Sequence, residues 1–285
     1  MKVSIVIVNW NTRDHLIECL ESIRTYPPRC SYEVIVVDND SSDGSAQAVR
    51  QYFPEITLIE NGENIGYAKA NNQAIENSTG DYILLLNPDV RVKNNTIDTL
   101  VDFAIQHSDA AAVGCKLVTP DGKIQESCRS FPYPLSVFFE YTKLSWLLPW
   151  CKFISSYRMR YFRYDTDVEV DQPMASCLLI SRKAWEDVGS FDESFPIFFN
   201  DVDWCYRAKQ KGWKIYFTAK TYAIHYGGAS TLQVKAKMIQ ESHRSLRKFY
   251  EKHYKHKLPA PVYWIIILAI IANSFLVSRL KFGNK

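Results

Sequence analysis

The chain has 285 residues, of which 47% are hydrophobic and 14% aromatic. That is enough to bury one large core with appendages, which excludes a disordered chain. A net charge of +3 hides an asymmetry: residues 1–234 carry 23 Lys/Arg against 29 Asp/Glu, and residues 235–285 carry 11 against 2. An acidic body with a basic end points to an anionic partner, either nucleic acid or a phospholipid surface.

From the N-terminus, a strand pattern over residues 3–8 follows Lys2 at once, without the apolar region and cleavage site of a secretory signal. The body is therefore expected in the cytosol. Residues 2–10, 32–39, 56–61 and 81–87 read as short strands rich in Val, Ile and Leu, each followed by a polar turn. Helix patterns lie at 12–26, with Thr12 as a possible N-cap, and at 66–77 and 94–107. This alternation predicts an α/β fold with a parallel sheet covered by helices on both faces.

Residues 120–170 are looser and aromatic, including Phe138, Trp146, Trp150 and Phe153, and read as an acceptor-side insertion. Regular structure is expected again at 172–181, in a helix from about Lys183, over 198–211, and in a strand near 214–217. Seven scattered cysteines without a C-x-x-C spacing argue against a disulfide framework or a zinc site and read as reduced structural thiols.

The body is expected to end near residue 232. Residues 233–285 then form a basic helix with an apolar stripe (Met238, Ile239, Leu246, Phe249, Tyr250) and the stretch 258–278, which has no charge. That stretch is long enough for a marginal span, yet Arg279, Lys281 and Lys285 make both flanks positive, so neither flank is favoured for translocation. A helix dipping into or lying at an anionic leaflet is the expectation, with an oligomer contact as the alternative.

In parallel sheets ligands bind beyond the carboxyl ends of the strands. There stand Asn9-Trp10-Asn11, a polar run from Asp38 to Gly44, a run from Asn61 to Gly66, and Asn87-Pro88-Asp89. Asp38 could accept from a pyrimidine N3 proton or a ribose, or belong to a helix cap. Gly66 opens a helix whose N-terminus suits an anion, with Lys69 one turn in reach of a phosphate. Asp89 could meet a diphosphate through a divalent cation, though Asn-Pro-Asp alone equally builds a turn. Asp201 and Asp203 open a further helix. If Asp203 pairs with Arg207 at i, i+4, Asp201 is left to face the cleft as a general base. His225 becomes a candidate metal ligand through the cation suspected at Asp89.

In this order, from residue 3 to 230, these motifs resemble family 2 of the inverting glycosyltransferases and, within it, the bacterial rhamnosyltransferase-like branch. The resemblance rests on residues 4–11, Val36-Val37-Asp38-Asn39, the 64–72 segment, Asn87-Pro88-Asp89, Asp201-x-Asp203-x-x-x-Arg207 and His225-x-x-Gly228-x-Ser230. It implies a GT-A fold, with a Rossmann-like, mainly parallel sheet. Asp38 would contact the base of a nucleotide diphosphate sugar, and Asn9, Trp10, Asn11, Gly66, Lys69 and Asn87 would complete the donor site. Asp89 and His225 would hold Mg2+ or Mn2+, and Asp201 would be the base. It further implies an undecaprenyl diphosphate-linked glycan acceptor at the cytoplasmic face of a bacterial plasma membrane, with dTDP-rhamnose or a UDP-hexose as donor.

Two departures stand out: Asn87 replaces the first acid of the usual Asp-x-Asp, and Asn200 replaces the acid often found before the base. Other classes fit less well. A nucleic-acid binder has no use for the uncharged stretch 258–278, a nucleotidyltransferase would need a glycine-rich basic loop after the first strand, and a dead sugar-nucleotide sensor would not need Asp89, Asp201 and His225.

Overall fold

The computed structural model describes residues 1–229 and 231–282, without the side chains of Thr231, Leu232, Ala236 and residues 275–282. Ser230 of the last motif and Lys285 of the basic flank lie outside the described residues, as do the side chains of Arg279 and Lys281. The first part of the chain alternates as β1 (Lys2–Asn9), α1 (Arg13–Thr25), β2 (Ser31–Asp38), α2 (Ser45–Tyr52), β3 (Thr57–Glu60), α3 (Tyr67–Glu76), β4 (Tyr82–Leu86) and β5 (Val90–Arg91). There follow α4 (Thr96–Gln106), β6 (Ala110–Val118), β7 (Cys128–Arg129), α5 (Pro134–Tyr141), α6 (Leu144–Leu147), β8 (Val168–Glu169), β9 (Gln172–Pro173) and β10 (Cys177–Ser181). The chain continues through α7 (Arg182–Val188), α8 (Asn200–Gln210), β11 (Lys214–His225), a 3-10 turn (Thr231–Val234), α9 (Lys235–His253) and α10 (Ala260–Phe282).

The main sheet runs β3-β2-β1-β4-β10-β6-β11-β5, with β8 also on β11. It is Rossmann-like and parallel where the sequence alternates most regularly, β3-β2-β1-β4 and again β6-β11. The expected parallel sheet is corrected in the middle, where β10 runs antiparallel to both β4 and β6. An apolar run such as Cys177–Ser181 is buried on both faces in either direction, so its composition carries no directional signal.

Side chains alternate across β1 with period two. Val3, Ile5 and Ile7 join Leu16, Leu20, Leu100 and Phe103 on the face of α1 and α4, while Val6 and Val8 join Ala68, Trp185, Trp204 and Phe249 on the other. Each such buried Val, Leu, Ile or Phe stabilises the fold by roughly 1.5–3 kcal/mol. The seven cysteines are all free, and Cys115 and Cys177 face each other with their sulfurs 3.7 Å apart.

The topology gathers the functional edge. β1, β2 and β4 end there, antiparallel β10 begins there with Cys177 beside Leu86, and β11 ends there with His225 beside Val90. Thr12 does precede α1, but its hydroxyl caps nothing; it donates to Asn9 Oδ1 at 2.7 Å, so it braces the end of β1 instead.

The C-terminal helices pack onto the body. α9 lays Leu246, Phe249 and Tyr250 into the core cluster that holds Trp204 and Tyr206 of α8, and α10 adds Tyr263, Ile267 and Ile270. Among the described residues no helix is long and apolar enough to cross a membrane. Part of the apolar surface of 258–278 is spent on packing within the chain, which a composition read without tertiary partners does not reveal.

Candidate functional site

The parallel register of β1 and β2 sets Asn9 opposite Asp38 at the strand ends. Both are buried, and Asn9 Nδ2 donates to Asp38 Oδ2 at 2.9 Å and to Ser41 Oγ at 3.1 Å. The Ser41 amide donates to Asp38 Oδ1 at 2.8 Å, so the carboxylate organises the loop while keeping lone pairs for a ligand. Asn11 adopts a left-handed φ of 50° and receives Ser42 N on its side chain at 2.8 Å, which locks the turn after β1 to the turn after β2. Capping of α2 falls to Asp43, which accepts from the Ser45 amide at 3.0 Å. Trp10 is half-buried between these residues.

Gly66 joins the same wall. Asn39 Nδ2 donates to its carbonyl at 3.2 Å, its φ is +87°, and a Cβ there would meet the Pro196 carbonyl oxygen at 3.0 Å. Only glycine fits that conformation and that approach without strain. One residue on, the Tyr67 hydroxyl donates to Asn87 Oδ1 at 3.2 Å, and Asn87 Nδ2 donates to Ser176 Oγ at 3.1 Å. Asn87 is thus held from both sides by protein. Lys69 is exposed; two residues after Tyr67 it projects about 200° further round α3. It is the one proposed donor-site residue that the fold does not bring to the others.

Asp89 and His225 meet across 136 residues because β5 pairs with the end of β11. Their Oδ1 and Nε2 atoms are 3.5 Å apart and both side chains are buried. Burial pulls the Asp89 carboxyl upward, but His225 and the Ala229 amide outweigh it and hold it below the usual carboxylate value of 3.8. His225 Nδ1 faces Gln125 Oε1 at 2.7 Å, and Gln125 Nε2 donates to the His225 carbonyl at 2.7 Å. This two-point clamp assigns a proton to Nδ1 and turns Nε2 toward Asp89. An oxygen and a nitrogen donor so placed fit a divalent cation. Among the described residues no group of three His, Cys, Asp or Glu could hold a metal alone, so ligand oxygens would have to complete the sphere. Below, Arg91 braces the turn by donating to the Pro88 carbonyl at 3.2 Å, and it pairs with Glu18.

Asp201 and Asp203 open α8 but face different surroundings. Asp203 accepts from Arg207 Nε at 2.8 Å, and Lys252 and His253 of α9 each reach its Oδ1 at 2.7 Å. Burial works against its ionised form, but these three partners prevail and its carboxyl titrates below 3.8. Asp201, only part-buried as a residue, receives Gln172 Nε2 at 2.8 Å and the amides of Val202 and Ala175. Burial of its carboxyl dominates and raises its pKa above 3.8. Burial raises the pKa of the Tyr67 hydroxyl, and the charges of Asp201 and Asp89 both add to the rise.

Gln125, Gln172, Tyr67, Ser176 and Arg91 have no place in the sequence reading. Gln125 sits in an irregular segment and Gln172 at the start of the two-residue strand β9, and only the fold brings them to His225 and Asp201.

Residues 4–168 match the model of glycosyl transferase family 2. The chain is 28% identical to the N-acetylglucosaminyl-diphospho-decaprenol L-rhamnosyltransferase of Mycobacterium tuberculosis, over 96% of this chain and 92% of the relative. It is 24% identical to the rhamnosyltransferase WbbL of Escherichia coli, over 95% of each. The mannosyltransferase PcManGT from Pyrobaculum calidifontis, solved with GDP-Man and Mn2+, superposes with a TM-score of 0.62 at 17% identity, over 98% of this chain and 75% of that one. That likeness shows a shared GT-A-like α/β fold.

Proposed function

Because the chain belongs to glycosyl transferase family 2, as a rhamnosyltransferase-like member, we propose that it transfers L-rhamnose from dTDP-rhamnose to a glycan on a polyprenyl diphosphate lipid. The setting would be cell-surface polysaccharide synthesis at the cytoplasmic face of a bacterial plasma membrane, with undecaprenyl diphosphate as the carrier. The mycobacterial relative supports this through the diphospho-decaprenol acceptor in its name.

The observation that carries the reading is the pairing of Asp89 with His225 at 3.5 Å, at the sheet edge where β2 ends on Asp38. Asn9, Trp10, Asn11, Asp38 and Gly66 form the wall for the nucleoside, with Asp38 accepting from the base. Asp89 and His225 would hold Mg2+ or Mn2+, which would neutralise charge growing on the departing nucleoside diphosphate. Asp201, kept more basic than an ordinary carboxylate by burial, accepts the proton of the acceptor hydroxyl as it attacks the anomeric carbon from the face opposite the leaving group. One displacement inverts the anomeric centre.

A panel of dTDP-rhamnose, UDP-hexoses and GDP-mannose, screened for Mn2+-dependent thermal stabilisation and for transfer, tests the donor. A response confined to dTDP-rhamnose is expected. A response to a UDP-hexose alone would overturn the rhamnose assignment.

A further inference from the structure

Two neighbouring elements outside the site expose large apolar side chains. In and after α6, Trp146, Leu147, Trp150 and Phe153 are 62–71% exposed. On α10, Trp264, Ile265 and Leu268 are 58–67% exposed, although Tyr263, Ile267 and Ile270 of the same helix are buried in the core. Tyr141, at the end of α5 and three residues before α6, interacts with Asn273 of α10. Asn273 in turn contacts His243 of α9 at 3.0 Å. Exposed apolar side chains on this scale are not scattered singly, and they require a partner.

The charges around them are mostly basic. Between residues 134 and 164 stand Lys143, Lys152, Arg158, Arg160 and Arg163 against one acid, Glu140, which Arg158 and Arg160 already neutralise at 2.6 and 3.3 Å. Between 251 and 274 stand Lys255 and Lys257, besides Lys252, which Asp192 and Asp203 hold, against one acid, Glu251. A two-fold contact with a second copy would set these basic rims against each other. An anionic bilayer complements them, and Trp beside Lys and Arg suits the headgroup boundary, where apolar side chains enter the acyl region without a span.

We propose that the outer face of α10 and the Trp146–Phe153 segment together form one monotopic docking surface for an anionic phospholipid leaflet. It deepens the proposed function, resting on the reading of a lipid-linked acceptor, because it seats the catalytic body beside the membrane that carries such an acceptor. Neither element suffices: α10 supplies the helix lying along the interface, and the Trp146–Phe153 segment fixes the rotation of the body about it.

Flotation of the full chain with phosphatidylcholine vesicles, with and without phosphatidylglycerol, tests the proposal. Binding is expected only with phosphatidylglycerol and should weaken with salt. Replacing Trp264, Ile265 and Leu268 by Gln, or separately Trp146 and Trp150 by Gln, should each lower binding about tenfold or more. Neither set should alter the thermal shift that sugar nucleotide and Mn2+ give, which also shows that the variants fold. Wild-type binding by either variant would overturn the surface. So would a chain that ignores vesicles but forms a dimer that both variants dissolve. Intact, variant-sensitive vesicle binding without any sugar-nucleotide response would uphold the surface and sink the glycosyl-transfer reading instead.

Discussion

Gln125 holds His225 at two points, with Oε1 2.7 Å from Nδ1 and Nε2 2.7 Å from the His225 carbonyl oxygen. The second contact fixes which end of the amide faces the ring, and the first then fixes the tautomer. Nε2 is left facing Asp89.

Gln125→Ala should therefore weaken cation binding by about 10–100-fold, the usual cost of losing a residue that orients a liganding histidine. A Mn2+ titration of the sugar-nucleotide thermal shift measures it. Gln125→Glu, which still accepts from Nδ1–H, should recover part of the loss. An unchanged midpoint in Gln125→Ala would mean that His225 Nε2 is not a ligand.

Gln172 donates to Asp201 Oδ2 at 2.8 Å and so favours the ionised carboxylate. Burial already sets the Asp201 pKa above 3.8, and removing this donor raises it further. A base must be deprotonated, so the acid limb of kcat/KM should move to higher pH in Gln172→Leu, with the alkaline limb in place. A superposable profile would place the limb on another group.

Asp203 gives a stability prediction. Its folded pKa is lowered below 3.8, so the stability it contributes is present above that ordinary value and is lost as pH falls through the folded one. Asp203→Ala removes the shared partner of Arg207, Lys252 and His253, which joins α9 to α8. It should cost about 2–4 kcal/mol in denaturant unfolding at neutral pH, less than a fully buried triad would, because Arg207 and Lys252 are partly solvated. The variant should also decline less steeply toward acid pH than the wild type, by the share that Asp203 contributes.

Gly66 has a φ of +87° and no room for a Cβ beside the Pro196 carbonyl. Gly66→Ala should destabilise by about 1–3 kcal/mol and raise the donor KM, since the same residue sets the start of α3 against Asn39. Thermal unfolding and donor titration read the two effects separately.

Much of this architecture was legible from apolar periodicity. The runs ending at Asn9, Asp38 and Asn87 become strands that end on one edge, and the Asp203–Arg207 spacing becomes the pair at 2.8 Å. Strand direction was not legible at β10, because burial on both faces looks the same either way. The meeting of Asp89 and His225 was legible only from motif order, since no local pattern spans 136 residues. Gln125 lay in a segment without periodicity and Gln172 at the first residue of a short strand, where hydrogen-bond partners are set by tertiary placement alone. Lys69 was read from its distance along the chain, but rotation about α3 turns it away from Tyr67.

The central claim is that Asp201 is the base, and Asp201→Asn tests it most directly. Burial raises the Asp201 pKa, so its stabilising contribution is present below 3.8 and is lost as pH rises through the folded value. At neutral pH the ionised carboxylate is a strain on the fold, and the neutral amide should leave Asp201→Asn at least as stable as wild type. The measurement is transfer to acceptor at saturating donor and Mn2+, made beside the donor-induced thermal shift of the same protein. The prediction is an unchanged shift with transfer lowered by at least about a hundredfold, the scale of general-base catalysis. Transfer at the wild-type rate, with the shift intact, would contradict the account.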